Sequence, residues 1–202
     1  GMPHHIERRV SADSRLLANG WRATTSWLFD LSTPSAPTIH TSLQTAGGII
    51  GWAHDFTRLP NGNLLVAFNG GPGAYVGAGG LGELDRDGAV VQAAVAKSSE
   101  AGDTAMTPYT VHPVPGRDRA VVGLGEMGMG KDYKYHDTSV LQLWSTKPLA
   151  PLALIPLAPN GTDRGHVAPS TVATTANGAM FANTFYCGLY HVRGLEGDTP
   201  IA

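Results

Sequence analysis

His54-Asp-Phe-Thr-Arg-Leu59, then Pro60-Asn61-Gly62, then Asn63-Leu-Leu-Val-Ala-Phe68 is the stretch that decides the fold. Two short apolar-rich runs separated by Pro-Asn-Gly read as a β-hairpin, because Pro presets the entry to a turn and Gly accepts a positive φ. After a glycine-rich loop, Gly80-Leu-Gly-Glu-Leu84 leads into Asp85-Arg-Asp87-Gly88, another tight-turn signal, and Ala89-Val-Val-Gln-Ala-Ala94 completes a four-stranded meander. Period-2 alternation of this kind recurs along the chain, with no sustained apolar face at helical spacing.

Laid on itself, the chain repeats this unit. His5-Ile-Glu-Arg-Arg-Val10 and Arg15-Leu-Leu-Ala-Asn19 align with the first hairpin, so that His5 falls on His54, 49 residues away. Ser26 to Leu31 and Thr38 to Leu43 complete that unit. A third unit runs through Tyr109 to Val114, Arg119 to Gly123, Thr138 to Trp144 and Leu152 to Leu157, with Tyr109 in the histidine position. The fourth has His166 to Val172, Ala179 to Asn183 and Gly188 to Val192, and no fourth strand. A period of about 50 residues with four strands per unit is the pattern of propeller blades, since one such sheet cannot bury both faces alone. A sandwich predicts no register match between successive units. The expectation is an all-β chain, residues 1–202 forming one domain, a β-propeller or partial propeller. It has about four blades of four antiparallel strands (near 4–45, 52–95, 107–158 and 164–202), the last lacking its outer strand.

Composition excludes several functions. A net charge of −2 with only 15% charged residues gives no electrostatic footprint for nucleic acid or an anionic membrane. Glycine (26) and proline (14) fall between apolar segments, as turns require. The apolar run Leu149 to Pro159 is broken by prolines and too short to span a bilayer. Gly1-Met-Pro-His-His5 lacks the features of a secretory signal, so the expectation is a protein with no signal peptide in this sequence and an undetermined compartment. Cys187 is the only cysteine, which rules out an intrachain disulfide. Gly125-Glu-Met-Gly-Met-Gly-Lys131 has P-loop spacing, but Asp132 follows in place of Ser or Thr and a strand follows in place of a helix, so it reads as a loop.

In a propeller the first strand of each blade lines the axis, and the loops between second and third strands share the rim where that strand begins. His5, His54, Tyr109 and His166 are thereby expected near one rim, with His136 and Cys187 in the loops above them. Three imidazoles, His5, His54 and His166, converging from separate blades would suit Fe, Cu or Zn. The competing reading has each histidine satisfying backbone groups at a blade junction. Tyr109, His136 and Cys187 would then complete a ligand rim, with Cys187 a thiol there or a small buried hydrophobe.

The residues also resemble a known group, the selenium-binding-protein and methanethiol-oxidase-like propellers. The resemblance is carried by Arg58-Leu-Pro-Asn-Gly-Asn-Leu-Leu65, Gly79-Gly-Leu-Gly-Glu-Leu-Asp85, Thr107-Pro-Tyr109, Asp118-Arg-Ala-Val-Val122, Thr138-Ser-Val-Leu-Gln-Leu-Trp144 and Cys187-Gly-Leu-Tyr-His-Val-Arg-Gly-Leu195, in that order. It implies a ring of about seven blades, from which a four-blade chain departs. It also implies a metal-dependent oxidation of a small molecule, without identifying catalytic residues. Two functions compete: a binding or scaffold propeller presenting its rim to a small ligand or partner, and a metal-dependent oxidoreductase. An open array exposes blade faces and edges, so self-association of two copies is expected, or closure of four blades into a small ring.

Overall fold

A computed structural model describes residues 3–6, 13–20, 26–43, 45–46, 49–50, 52–69, 79–96, 107–125, 140–157, 169–175, 179–184, 188–197 and 199–201. Every regular element among them is a strand. Blade one comprises β1 (Pro3–Ile6), β2 (Arg15–Gly20), β3 (Ser26–Asp30) and β4 (Thr38–Leu43). A small hairpin, β5 (Thr45–Ala46) with β6 (Ile49–Ile50), follows it and was not expected from the repeat. Blade two is β7 (Trp52–Arg58), β8 (Leu64–Asn69), β9 (Gly80–Leu84) and β10 (Val90–Val95). Blade three is β11 (Thr107–Pro113), β12 (Arg119–Gly125), β13 (Val140–Thr146) and β14 (Leu149–Pro156). Blade four has three strands, β15 (Pro169–Thr174), β16 (Met180–Thr184) and β17 (Gly188–Val192).

Each blade is an antiparallel meander in sequence order. The turns are those the residues demand. Gly62 and Gly88 sit at φ 89° and 86°, a region costly for residues with a Cβ. Asp85 Oδ1 accepts the N–H groups of Asp87 and Ala89, closing the β9–β10 turn. The strand expected from Leu152 begins earlier, at Leu149, because β14 is an outer strand and Pro151 can occupy an edge without costing a ladder bond. At the outer side of β17, Ile201 pairs with Arg193 in a single antiparallel bridge, marking the course a fourth strand would take.

Three apolar cores lie between the blades. Leu17 and Leu28 of blade one meet Leu64, Val66, Phe68 and Leu84 of blade two. Leu65, Ala67 and Leu81 on the other face of blade two meet Val111, Ala120, Val122 and Trp144 of blade three. Val121, Leu141 and Leu143 then meet Met180, Ala182 and Val192 of blade four. Alternate residues of each strand therefore serve opposite neighbours, as period-2 geometry requires. Each such large side chain taken out of water contributes about 1.5–3 kcal/mol, so stacking, and not the individual sheet, carries the stability.

Candidate functional site

The first strand of every blade carries one extra residue opposite its second strand. The pairing skips His4 in β1, His54 in β7, Tyr109 in β11 and Ser170 in β15. A bulge breaks the ladder locally and re-aims side chains, and the backbone groups it releases need other partners. Side chains of the preceding blade supply them. The Asn19 amide, on β2 and wholly buried, donates to the carbonyls of Ala53 and His54, the latter at 3.0 Å. One blade further on, His54 Nδ1 lies 2.6 Å from the carbonyl oxygen of Tyr109. Since a carbonyl only accepts, Nδ1 carries the proton. Asp55 Oδ2 accepts the Val111 N–H at 2.9 Å. The bulge thus turns two consecutive side chains, His54 and Asp55, toward the same neighbouring blade.

His54 is wholly buried, and its ring lies 3.7 Å from that of half-buried Tyr109, tilted by 33°. The Asp55 carboxylate stands 3.9 Å from His112 Nε2, and both side chains keep partial access to solvent. The carboxylate and the imidazole give this inner-strand surface a polar pair. Sequence reading passed over Asp55, and strand alternation turned His112, three residues from Tyr109, to the opposite side of the strand; the bulge at Tyr109 instead brings Tyr109 and His112 both against blade two. The signal available was the His54-Asp55 dipeptide at the start of a first strand.

At the opposite end of the strands a cavity of about 360 Å³ opens between blades two and three. Its walls include Leu59, Pro60, Pro113, Pro115, Arg117 and the carboxylate of Glu83. Glu83 is buried, and its Oε1 accepts from Asn61 (3.0 Å) and Asn63 (2.6 Å) while its Oε2 accepts from Gln92 (2.5 Å). Burial pushes this carboxyl up, but the Gln92, Asn63 and Asn61 amides and the charge of Lys147 outweigh it and hold the group below the ordinary glutamate range. Gln92 continues across the blade junction: Nε2 donates to the Thr146 carbonyl at 3.0 Å and Oε1 accepts from the Leu149 N–H at 2.7 Å. The cavity therefore has a firm anionic wall built from two blades.

No protein-family model matches the chain, and no curated protein is similar to it in sequence. Solved structures are similar in fold. The Dos1 propeller superposes with a TM-score of 0.61 at 12% identity over 94% of this chain and 43% of its own. The chain is a partial β-propeller. A functionally unknown protein from Desulfotomaculum acetoxidans aligns with TM-score 0.62 at 9% identity, over 98% of this chain and 54% of its own. A gluconolactonase-like protein aligns with TM-score 0.57 at 14% identity, over 95% and 58% respectively. The partial propeller spans about half the length of the solved structures it matches, and at such identities the likeness carries the fold alone.

Within this propeller the expected site residues fall unevenly. His54 and Tyr109 come together as described. His5 lies in β1, where only the backbone is described, and His136, His166 and Cys187 lie outside the described residues. Register places His4, and not His5, in the position of His54, because the pairing resumes at His5 opposite Asn19 just as it resumes at Asp55 opposite Ala67. The 49-residue alignment was one residue out because the turn between first and second strands differs in length: His5 and its partner Asn19 are 14 positions apart, whereas Asp55 and Ala67 are 12 apart. Counted the same way, the fourth position is Ser170. Among the described residues no three His, Cys, Asp or Glu side chains gather closely enough to hold a metal ion, and no helix is long and apolar enough to cross a membrane.

Proposed function

We propose that this partial propeller is a binding module that presents its rims to a small ligand or a partner segment and carries out no covalent chemistry. One observation carries the reading: His54, the nominated metal ligand whose side chain is described, is wholly buried and commits Nδ1 to the backbone of the next blade. It acts as a blade-junction residue. The cavity between blades two and three has the size and apolar lining of a small-ligand site. Pro60, Pro113 and Pro115 in its walls and the Arg117 guanidinium suit a compact, largely uncharged molecule with one acceptor group.

A second reading is the metal-dependent oxidoreductase of the selenium-binding and methanethiol-oxidase type. Its support is the order of the resembling segments and the His54 Nδ1–H donated to a carbonyl, an arrangement metal-bound histidines commonly adopt. His54 would supply one donor to Fe, Cu or Zn, and His5 and His166 would supply the others. Elemental analysis of protein purified without chelator separates the two readings. The binding module is expected to carry Fe, Cu and Zn far below one per chain. One equivalent of a single transition metal, lost in His54→Phe and in His166→Ala, would overturn it.

A further inference from the structure

Most charges that line the cavity between blades two and three are already engaged. Lys147 Nζ lies 3.0 Å from Asp118 Oδ1, and the Arg119 guanidinium donates to the carbonyls of Leu195 and Gly197. Glu83 and Arg117 line the same cavity, and among the described residues neither has an oppositely charged side chain in contact.

Glu83 is only 5% exposed, and a carboxylate removed from water calls for a cation as well as hydrogen bonds. Its hydrogen bonds are also one short. Oε1 accepts from Asn61 and Asn63, but Oε2 accepts from Gln92 alone, and each carboxylate oxygen can take about two donors. The group is held below the ordinary glutamate range and is therefore ionised at neutral pH. A neutral donor would fill the open site on Oε2 without cancelling the charge; an ammonium does both. Arg117 sits exposed in the turn between β11 and β12, and its guanidinium fork matches a carboxylate. The walls that accompany these two charges include Leu59, Pro60, Pro113 and Pro115. Prolines carry no backbone N–H, so they offer an alkyl chain a surface and leave the binding of an anion to Arg117.

We infer that the cavity takes a small aliphatic zwitterion, its ammonium against Glu83 of blade two and its carboxylate against Arg117 of blade three, with its alkyl body along the prolines. On the reading of this cavity as a small-ligand site, on which the inference rests, the ligand gains an amine beside its acceptor group, and the two charges cancel to leave it neutral overall.

Isothermal titration calorimetry of the full chain at neutral pH tests this with δ-aminovalerate and three analogues: pentylamine, which lacks the carboxylate, valerate, which lacks the amine, and the uncharged valeramide. δ-Aminovalerate is expected to bind at one per chain, and each analogue at least about tenfold more weakly, the difference made by one hydrogen bond to a charged group. Arg117→Gln should bring δ-aminovalerate down to the level of pentylamine and leave pentylamine unchanged. Glu83→Gln should bring it down to the level of valerate. That second substitution also loosens the fold, and the probe series on the wild-type chain and on Arg117→Gln stands without it. Valeramide binding as tightly as δ-aminovalerate would overturn the zwitterion and leave the cavity a small-ligand site. Pentylamine or valerate binding as tightly as δ-aminovalerate, or δ-aminovalerate unaffected by Arg117→Gln, would overturn the inference in the same way. No binding by any of the four would remove the cavity as a small-ligand site and the inference with it.

Discussion

Replacing Glu83 by glutamine should destabilise the fold far more than the loss of one surface charge would. The carboxylate accepts three amide bonds, and bonds to an ionised acceptor are roughly twice as strong as neutral ones. A glutamine can turn its oxygen toward Asn61 and Asn63, but its NH₂ then meets the NH₂ of Gln92. Gln92 cannot invert to relieve this, because its oxygen already accepts the Leu149 N–H and its nitrogen serves the Thr146 carbonyl. One buried donor is left without an acceptor, at about 1–3 kcal/mol, and the remaining bonds weaken. A total near 3 kcal/mol follows, which at a urea dependence of about 2 kcal/mol/M lowers the unfolding midpoint by about 1.5 M. Equilibrium urea unfolding by tryptophan fluorescence reads it. In the Gln92→Leu background the cost of Glu83→Gln should shrink, since the donor conflict is gone. A midpoint shift within experimental error, or strictly additive costs, would refute the network.

His54→Phe keeps an aromatic ring against Tyr109 but strips the Tyr109 carbonyl of its donor. It should cost about 1–3 kcal/mol in the same unfolding assay, and a cost near zero would mean that the junction does not depend on that bond. Asn19→Ala should cost a similar amount, about 1–3 kcal/mol, because two carbonyls of the β7 bulge lose their amide. Gly62→Ala, at φ 89° with open space around the added Cβ, should cost about 1–2 kcal/mol from backbone conformation alone, leaving the circular dichroism spectrum unchanged. Asp30 is held down to about 2 by the Ser32 backbone N–H, the Ser32 hydroxyl and Arg15, and Glu83 is also lowered. Both carboxyls have folded pKa values below their unfolded ones. Their stabilisation is therefore full above about pH 4–5 and lost as the pH falls toward 2, and Asp30→Asn should flatten that part of the urea-midpoint profile.

The strands were legible because alternation and turn residues are local. Thr38–Leu43 and Gly80–Leu84 emerge from the sequence with the boundaries they have in the fold. The short hairpin Thr45–Ala46 with Ile49–Ile50 did not, since two residues per strand carry no period. The junction chemistry was legible only in outline. Histidines at the start of first strands stood out, yet whether His4 or His5 matches His54 depends on the length of the turn that follows the strand, and that is settled by pairing with a second strand. Gln92, Glu83 and Leu149 form one unit although Gln92 and Leu149 are separated by 57 positions. No spacing rule connects them, because the connection is made by two blades meeting.

The bulges are alike in place but not in how they are covered. Asn19 serves the one in blade two from a second strand, whereas His54 and Asp55 serve blade three from a first strand. Ala67 and Gly123, which replace Asn19 in blades two and three, could not perform its task. Units of one shape risk stacking in the wrong order while the chain folds. Each cover works as an address here: a blade docked on the wrong neighbour strands a carbonyl or an amide in an apolar seam. Exchanging blades by shuffling their coding segments would thus fail at the seams, even where every apolar contact was preserved.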